Sequence, residues 1–338
     1  MKAAYYPGKG QPVTIENLPD PECGPDDILI KVNRCGVCGT DLSFTSGKGI
    51  WDYGAGQFGH EFTGEIVEIG RNVAGYAKGE KLTLLPSLAC GSCPTCDVAR
   101  GNPVFCANAG TASKGFAEYA KFPVHAAVKL PDTLSFADGA LIEPMAISLY
   151  GVRHARIDPG DRVLVLGAGA IALYAIYWAK RLGAGRIVCM SRSDRHRTLA
   201  LEMGADAFVQ FGDDEVAEAR EALGGPAEVV FECIGVDGMV GKAVQHAQFF
   251  GRIVSLGFCT APDTMMSSLA AYKCVNVQYM VGYTMKEFFY IADQMDKGHA
   301  DPKAVISNDI ALDALPAMMD TLRGAHRETK VHVHPFGV

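Results

Sequence analysis

Nowhere does this sequence string together the roughly 20 apolar residues that a membrane-crossing helix needs, and its opening MKAAYYPGKGQP lacks the apolar core of a secretory signal. Basic stripes are missing too. The 31 Lys and Arg against 38 Asp and Glu leave a net charge of −7, without long runs of one sign or cations interleaved with aromatics. Neither nucleic acid nor a membrane is therefore an expected partner. The chain also has no internal repeat, low-complexity tract or charged tail. These absences leave a globular protein with a cytoplasmic location as the expectation. In that reducing compartment the eleven cysteines are better read as metal ligands than as disulfides. A length of 338 residues is large for one core and predicts two domains.

The two halves follow different patterns. Up to about residue 150, short apolar strands such as ILIKV (28–32), GEIVEIG (64–70) and KLTLL (81–85) are separated by Gly, Pro and Asp, which predicts a mostly β domain. Beyond it, RVLVLG (162–167), RIVCM (186–190), VVFECIG (229–235) and RIVSLG (252–257) alternate with helical stretches. Continuous apolar strands alternating with helices predict βαβ units and a doubly wound parallel sheet buried on both faces. From about 286 the chain returns to mixed helix and turn, and the alternating TKVHVHP (329–335) is expected to rejoin the first domain as a strand. The expected division is 1–149 with 286–338, and 150–285 inserted between them.

VLVLGAGAIA (163–172) places Gly167, Gly169 and Ala172 between a strand and a helix. Gly167 permits the tight turn and Gly169 lets backbone approach a pyrophosphate, while Ala172 keeps helix and strand close. The amides of Ala170 and Ile171 open the helix at its positive dipole end, which suits a phosphate. Taken alone, the pattern is also that of a plain strand–helix turn; its βα surroundings favour a dinucleotide. An acidic residue is lacking at the end of the next strand, where an NAD site holds the ribose hydroxyls. Ser191 stands there, followed by Arg192 and Arg195. A hydroxyl and two guanidinium groups accommodate a 2′-phosphate, so NADP is the expected cofactor. Arg197 is read as part of the solvated face of the next helix.

Cys38, His60 and Glu61, in CGVCGTDL and GHEFTGE, combine a thiolate, an imidazole and a carboxylate. Singly these read as a small buried hydrophobe, a satisfied polar group and a solvated charge. As a set they suit zinc with one coordination position open. Cys90, Cys93, Cys96 and Cys106 form a second cluster, in which four thiolates would close the coordination shell. Cys23, Cys35, Cys189, Cys233, Cys259 and Cys274 have no such company.

The ordered set CGVCGTDL, GHEFTGE, the four-cysteine loop, GFAEYA (115–120), LIEP (141–144) and VLVLGAGAIA resembles the zinc-dependent medium-chain alcohol and polyol dehydrogenases over essentially the whole chain. The resemblance implies an α/β protein: a GroES-like, mostly β catalytic domain split around a Rossmann domain. It implies two zinc ions per chain. Cys38 and His60 would hold the catalytic zinc, with Glu61 and Glu143 as carboxylates that can reach it, and the four-cysteine lobe would hold a structural one. Thr40 falls where a hydroxyl meets the substrate alcohol, and Asp41 where a carboxylate orients the histidine. The spacer between Cys96 and Cys106 is longer by two residues than the family commonly has, a small cost in loop closure. Because a thiolate and one carboxylate already neutralise Zn²⁺, Glu61 and Glu143 are not both expected to bind it when alcohol is ionised. The order Ser-Arg-Ser after the second Rossmann strand resembles NADP-dependent ketose reductases of the family.

Other positions depart from the family pattern. Ser43 stands where many members carry the outer histidine of the proton relay. Gly282 replaces an arginine of sorbitol-type enzymes and Phe44 a tyrosine, while Tyr283 is retained. Phe44, Trp51 and Tyr283 are the expected substrate contacts, with the alternative that the first two are core aromatics and Tyr283 an interface residue. The reading is a zinc-dependent, NADP(H)-linked dehydrogenase of a small secondary alcohol, ahead of a sorbitol-type polyol dehydrogenase. A zinc-free quinone or enone reductase and a non-catalytic nucleotide-binding protein come behind. A homo-oligomer is expected, a tetramer before a dimer, from the apolar segment CVNVQYMVGY (274–283).

Overall fold

The computed structural model describes residues 1–48, 52–98 and 101–338; Trp51 lies outside them. The chain forms two compact units, Met1–Ala146 with Tyr283–Val338, and Ile147–Gly282. The first boundary falls inside a continuous helix, Phe136–His154, three residues before the expected one, and Tyr283 belongs to the first unit. Among the described residues no helix is long and apolar enough to cross a membrane.

The first unit is built on a seven-stranded sheet. Its strands run in the order Ile306–Ala311, Lys330–His334, Asp27–Gly36, Glu61–Ile69, Lys81–Leu84 and Ala127–Lys129, with Tyr119–Pro123 also pairing to Asp27–Gly36. Alternation in DILIKV sends Ile28, Ile30 and Val32 into the core at 0% exposure, where truncating such a side chain costs about 2–5 kcal/mol. The register sets Gly36 opposite Glu61 on one side and His332 on the other. A side chain at Gly36 would lie 2.2 Å from a Glu61 carboxylate oxygen, so glycine makes the room that the carboxylate occupies. The C-terminal strand Lys330–His334 thus returns to the sheet beside the segments that carry Cys38 and Glu61.

The second unit is a six-stranded parallel sheet, ordered Ala207–Gln210, Arg186–Ser191, Arg162–Leu166, Ala227–Glu232, Ala247–Ser255 and Asn276–Tyr279. Leu164 is registered between Val188 and Val230, all fully buried. Helices including Ala170–Arg181, Glu215–Leu223 and Met239–His246 connect the strands, and Ala219, Leu223, Ala243 and Val244 join the same core. Strand order reverses between Arg162–Leu166 and Ala227–Glu232. At such a switch point a crevice opens at the carboxyl ends of the strands. The edge strand Asn276–Tyr279 is mostly exposed.

Candidate active site and metal centres

Two short segments of the first unit converge on one group of ligand atoms. Cys38 caps the helix Gly39–Phe44, and Asp41, the third residue of that helix, accepts the Cys38 amide on Oδ2 at 2.9 Å. This reciprocal cap fixes the ligand-bearing loop to the helix that follows it. His60 directly precedes the strand Glu61–Ile69. One ligand atom each from Cys38, His60 and Glu61 lies within 4.8 Å of the other two.

Asp41 is completely buried. Its Oδ1 sits 3.4 Å from His60 Nδ1 and accepts the Tyr53 hydroxyl at 2.9 Å. Burial draws the His60 pKa down, but the Asp41 and Cys38 charges outweigh it and hold the imidazole well above its ordinary value. Thr40 Oγ1 lies 3.5 Å from His60 Nε2, the face turned from Asp41. Burial, then Asp41 and Cys38, push the Tyr53 phenol up, so it is a hydrogen-bond donor at neutral pH.

Lys330 reaches this group from the last strand. Its Nζ donates to the two Glu61 oxygens at 2.6 and 2.8 Å and to the Val37 carbonyl at 3.1 Å. Despite burial, the pull of Glu61 raises the Lys330 pKa, so the pair is ionic. Glu143 lies on the helix Phe136–His154, 4% exposed. Burial pushes its carboxyl up to about 7, and the Tyr283 phenol is near enough to interact with it. Tyr283 itself is 3% exposed, which removes it from any surface between subunits. Gly282 has φ +77°, a left-handed conformation in which an arginine would be strained. Phe44 packs edge-on against Tyr53 at 5.1 Å. Ser43 lies on the same short helix as Thr40, its carbonyl bonded by Ser46 Oγ at 2.7 Å.

The structure therefore brings Cys38, Thr40, Asp41, His60 and Glu61 together, with Glu143 and Tyr283 in electrostatic contact. Sequence reasoning missed Tyr53 and Lys330. Neither carries a local signal: each joins the site through a loop or a strand that only the fold brings near. The donor set fits zinc chemistry, since a soft sulfur and an imidazole nitrogen converge with one carboxylate, and a second carboxylate, Glu143, stands in electrostatic contact.

The four-cysteine lobe is built differently. Cys93 Sγ lies 3.4 Å from Cys96 Sγ and 3.8 Å from Cys106 Sγ, and Cys90 Sγ lies 3.8 Å from Cys96 Sγ. Four sulfurs about 2.3 Å from one tetrahedral centre would stand about 3.8 Å apart, so the cage fits zinc. Backbone amides of Cys90 and Asn108 donate to Cys106 Sγ, both at 3.3 Å. The Thr95 hydroxyl leads the effects that lower Cys93 to about 5, the Ser92 amide those that lower Cys90 to about 7, and Cys93 those that raise Cys96 to about 11. Negative charge already concentrates on this cage.

In the second unit, Gly167 takes φ +111° and its amide donates to Met190 O at 2.7 Å, while Gly169 caps the helix Ala170–Arg181. A cleft of about 340 Å³ is lined by Gly167, Gly169, Ser191, Arg192 and Arg195. A side chain added at Gly169 would meet nothing within 4 Å, so the turn presents open backbone to the cleft, as a pyrophosphate requires. Ala170 and Ile171 open the helix, and Ala172 is buried against the sheet. Arg197 instead lies over the Phe208 ring at 4.9 Å. The sequence did not point to His196, Ile234 or Met239 in this lining. His196 Nδ1 bonds to Ala168 O at 2.8 Å, tying the arginine loop to the glycine turn. Glu232 accepts the Ile234 and Gly235 amides at 2.6 and 2.8 Å and so fixes the opposite wall. A smaller cavity of about 250 Å³ lies at the other end of the strands, near Ala227, His246 and Phe249, away from the glycine turn.

Residues 24–132 match the alcohol dehydrogenase GroES-like domain and residues 170–297 the zinc-binding dehydrogenase domain. (R,R)-butanediol dehydrogenase of Bacillus subtilis (strain 168) is 31% identical over 93% of this chain and 94% of its own length. Mouse (Mus musculus) sorbitol dehydrogenase is 31% identical over 80% of this chain and 79% of its own. Among solved structures, a zinc-binding dehydrogenase from Sinorhizobium meliloti 1021, bound to NADP, is 31% identical with a TM-score of 0.88 over 99% of both chains. The 2R,3R-butanediol dehydrogenase of Bacillus subtilis gives a TM-score of 0.86 over 99% of both chains at 29% identity.

Proposed function

Because this chain belongs to the zinc-dependent medium-chain dehydrogenase/reductase family, we propose that it interconverts a small secondary alcohol and its ketone with NADP(H) in preference to NAD(H), using two zinc ions per chain. The observation that carries the reading is the group Cys38, Thr40, His60 and Glu61, with Asp41 locked behind the histidine. Zinc held by Cys38 and His60 would supply Lewis acidity at the substrate oxygen, easing loss of the hydroxyl proton or polarising a carbonyl. NADP would take or give the hydride.

The remaining work falls to side chains. Thr40 accepts the substrate hydroxyl proton, and Asp41 keeps the imidazole oriented. Lys330 neutralises Glu61 internally. Burial raises the Glu143 carboxyl to about 7. Both facts support a site whose negative charge is kept low. Ser43 cannot serve as the imidazole base of an outer relay, and the ribose of a bound cofactor or water would have to carry the proton on. Gly282 and Phe44 supply no polar clamp, which favours an alcohol with an apolar substituent over a polyol. Tyr283, in electrostatic contact with Glu143, remains the polar contact for a substrate. The sorbitol dehydrogenases among the relatives keep the polyol as second reading. A panel from 2-butanol through 2,3-butanediol to sorbitol decides it: fastest turnover on sorbitol would replace the first reading by the second.

Ser191 and Arg192 on the cleft wall, and the NADP bound by a 31% identical neighbour, support the cofactor preference. A charged hydrogen bond to the 2′-phosphate is worth about 1.5–3 kcal/mol. Arg192→Ala should therefore raise KM for NADPH about tenfold or more and leave NADH nearly unchanged. Equal losses with both cofactors would refute the preference. The exposed edge strand Asn276–Tyr279 supports assembly of copies of the chain, a tetramer before a dimer; a monomer by light scattering at micromolar concentration would refute it.

A further inference from the structure

His196 is 8% exposed in the wall of the cofactor cleft and directly precedes the helix Arg197–Glu202. Its Nδ1 lies 2.8 Å from the carbonyl oxygen of Ala168, the middle residue between Gly167 and Gly169. A carbonyl only accepts, so the ring carries a hydrogen on Nδ1, and the bond holds in the neutral and the protonated imidazole alike. We propose that His196 is a positioning residue for the cofactor's 2′-phosphate, setting the distance between the guanidinium groups of Arg192 and Arg195 and the glycine turn. This rests on the NADP reading above.

The 2′-phosphate and the pyrophosphate belong to one molecule, so the protein elements that receive them must stand at a matching distance before it binds. The glycine turn is anchored without His196. Gly167 N donates to Met190 O at 2.7 Å, Cys189 Sγ to Gly167 O at 3.3 Å and Leu173 N to Gly169 O at 3.0 Å. The arginine loop has anchors of its own, and they lie towards the sheet edge. Ser191 O accepts the Phe211 amide at 3.0 Å, and the Arg197 guanidinium donates to Phe208 O at 3.3 Å. Phe208 is on the edge strand Ala207–Gln210, whereas the glycine turn follows Arg162–Leu166 on the other side of Arg186–Ser191. The His196 side chain crosses from the loop to that turn. Without its bond Arg192 and Arg195 keep their charge but lose a fixed distance to the pyrophosphate site, and ordering them again costs affinity.

Two fragments test this: adenosine 2′,5′-bisphosphate, which carries the 2′-phosphate, and 5′-AMP, which lacks it, each titrated calorimetrically into the zinc-loaded protein. In His196→Leu the affinity for the bisphosphate should fall about tenfold, within the worth of a charged hydrogen bond, and that for 5′-AMP by less than about twofold. His196→Asn puts an amide nitrogen where Nδ1 stands and should keep the wild-type selectivity. His196→Gln reaches the Nε2 position instead and should lose it. Added to the pair Arg192→Ala and Arg195→Ala, His196→Leu should cost less than about twofold further, because the groups it positions are gone. Unchanged selectivity in His196→Leu, or an equal loss with both fragments, would overturn the proposal; the equal loss would make His196 a plain loop staple. Should His196→Leu fail to fold, equal selectivity of the Asn and Gln variants would overturn it. A wild type that binds both fragments alike overturns the NADP reading and the proposal with it.

Discussion

The two candidate metal centres of the first unit both use cysteine and differ in construction. The lobe draws all four sulfurs from the segment Cys90 to Cys106, and its neighbours are backbone amides and hydroxyls of the same loop. The other site draws Cys38 from a helix cap and His60 and Glu61 from the start of a strand. It is then backed by Asp41, Tyr53, Glu143 and a lysine 269 residues away from Glu61. A closed cage asks only that its ligands meet. An open site must also keep its charge low and its imidazole aimed, and that takes partners only a complete fold can supply. One site is local and the other is tertiary.

Cysteine-to-serine exchange gives the largest test of this contrast. Cys38→Ser should lose essentially all turnover and one zinc per chain while the thermal midpoint stays near wild type, because Cys38 caps a short helix and lies outside the strands of the sheet. Cys93→Ser should instead lower the midpoint and the soluble yield, since a closed site contributes folding energy. Metal analysis, thermal melts and NADP-linked activity read both variants. A stable, inactive Cys93→Ser beside an active Cys38→Ser would reverse the roles of the two sites.

Lys330→Met sharpens the comparison next. Lys330 is 4% exposed and Glu61 0%, and stripping one partner from a buried pair costs about 3–5 kcal/mol. Urea denaturation of the zinc-free variant should show that loss, and Glu61→Gln added to it should recover most of it. With zinc present the loss shrinks only if Glu61 turns to the metal. Holo and apo melts therefore tell which carboxylate the zinc takes. Unchanged stability of the apo variant would mean that the pair does not hold the site together.

The same contrast explains what could be read from the sequence. The lobe is legible as a cluster because its four cysteines lie close together in the sequence, and its structural role came from the family resemblance. The strands are legible because ILIKV, RVLVLG and RIVCM are apolar runs of strand length, and the glycine turn because it lies between such a run and a helix. The helix Phe136–His154 is not. From Asp138 to Ala146 every residue is buried, so no polar face marks the helical period, and Gly139, Pro144 and Gly151 look like breaks. Lys330 was visible only as part of an alternating C-terminal strand; its use follows from that strand's pairing beside Gly36. Tyr53 is one polar aromatic in a glycine-rich loop, and nothing in its neighbours predicts that it meets Asp41.

The smallest expected effect belongs to the lobe. Thr95 Oγ1 lies 3.0 Å from Cys93 Sγ and accepts the Ala107 amide at 2.9 Å, so one hydroxyl ties the two ends of the loop. It is also the leading cause that holds Cys93 down at about 5. Zinc binds the thiolate and competes with protons for it. Thr95→Val, which keeps the shape and removes the hydroxyl, raises the proton affinity of Cys93. Protons then displace metal at a higher pH. Stepping the protein from pH 8 towards 5 in the presence of a colorimetric chelator should show lobe zinc released earlier in the variant, by a fraction of a pH unit. Activity at pH 8 should be unchanged, because the open site is not touched. If the release curves coincide, the hydroxyl contributes nothing to the thiolate and the sulfur cage stands on its backbone amides alone. If activity falls with release unaltered, the lobe is coupled to the chemistry, and the division between a local staple and a tertiary active site fails.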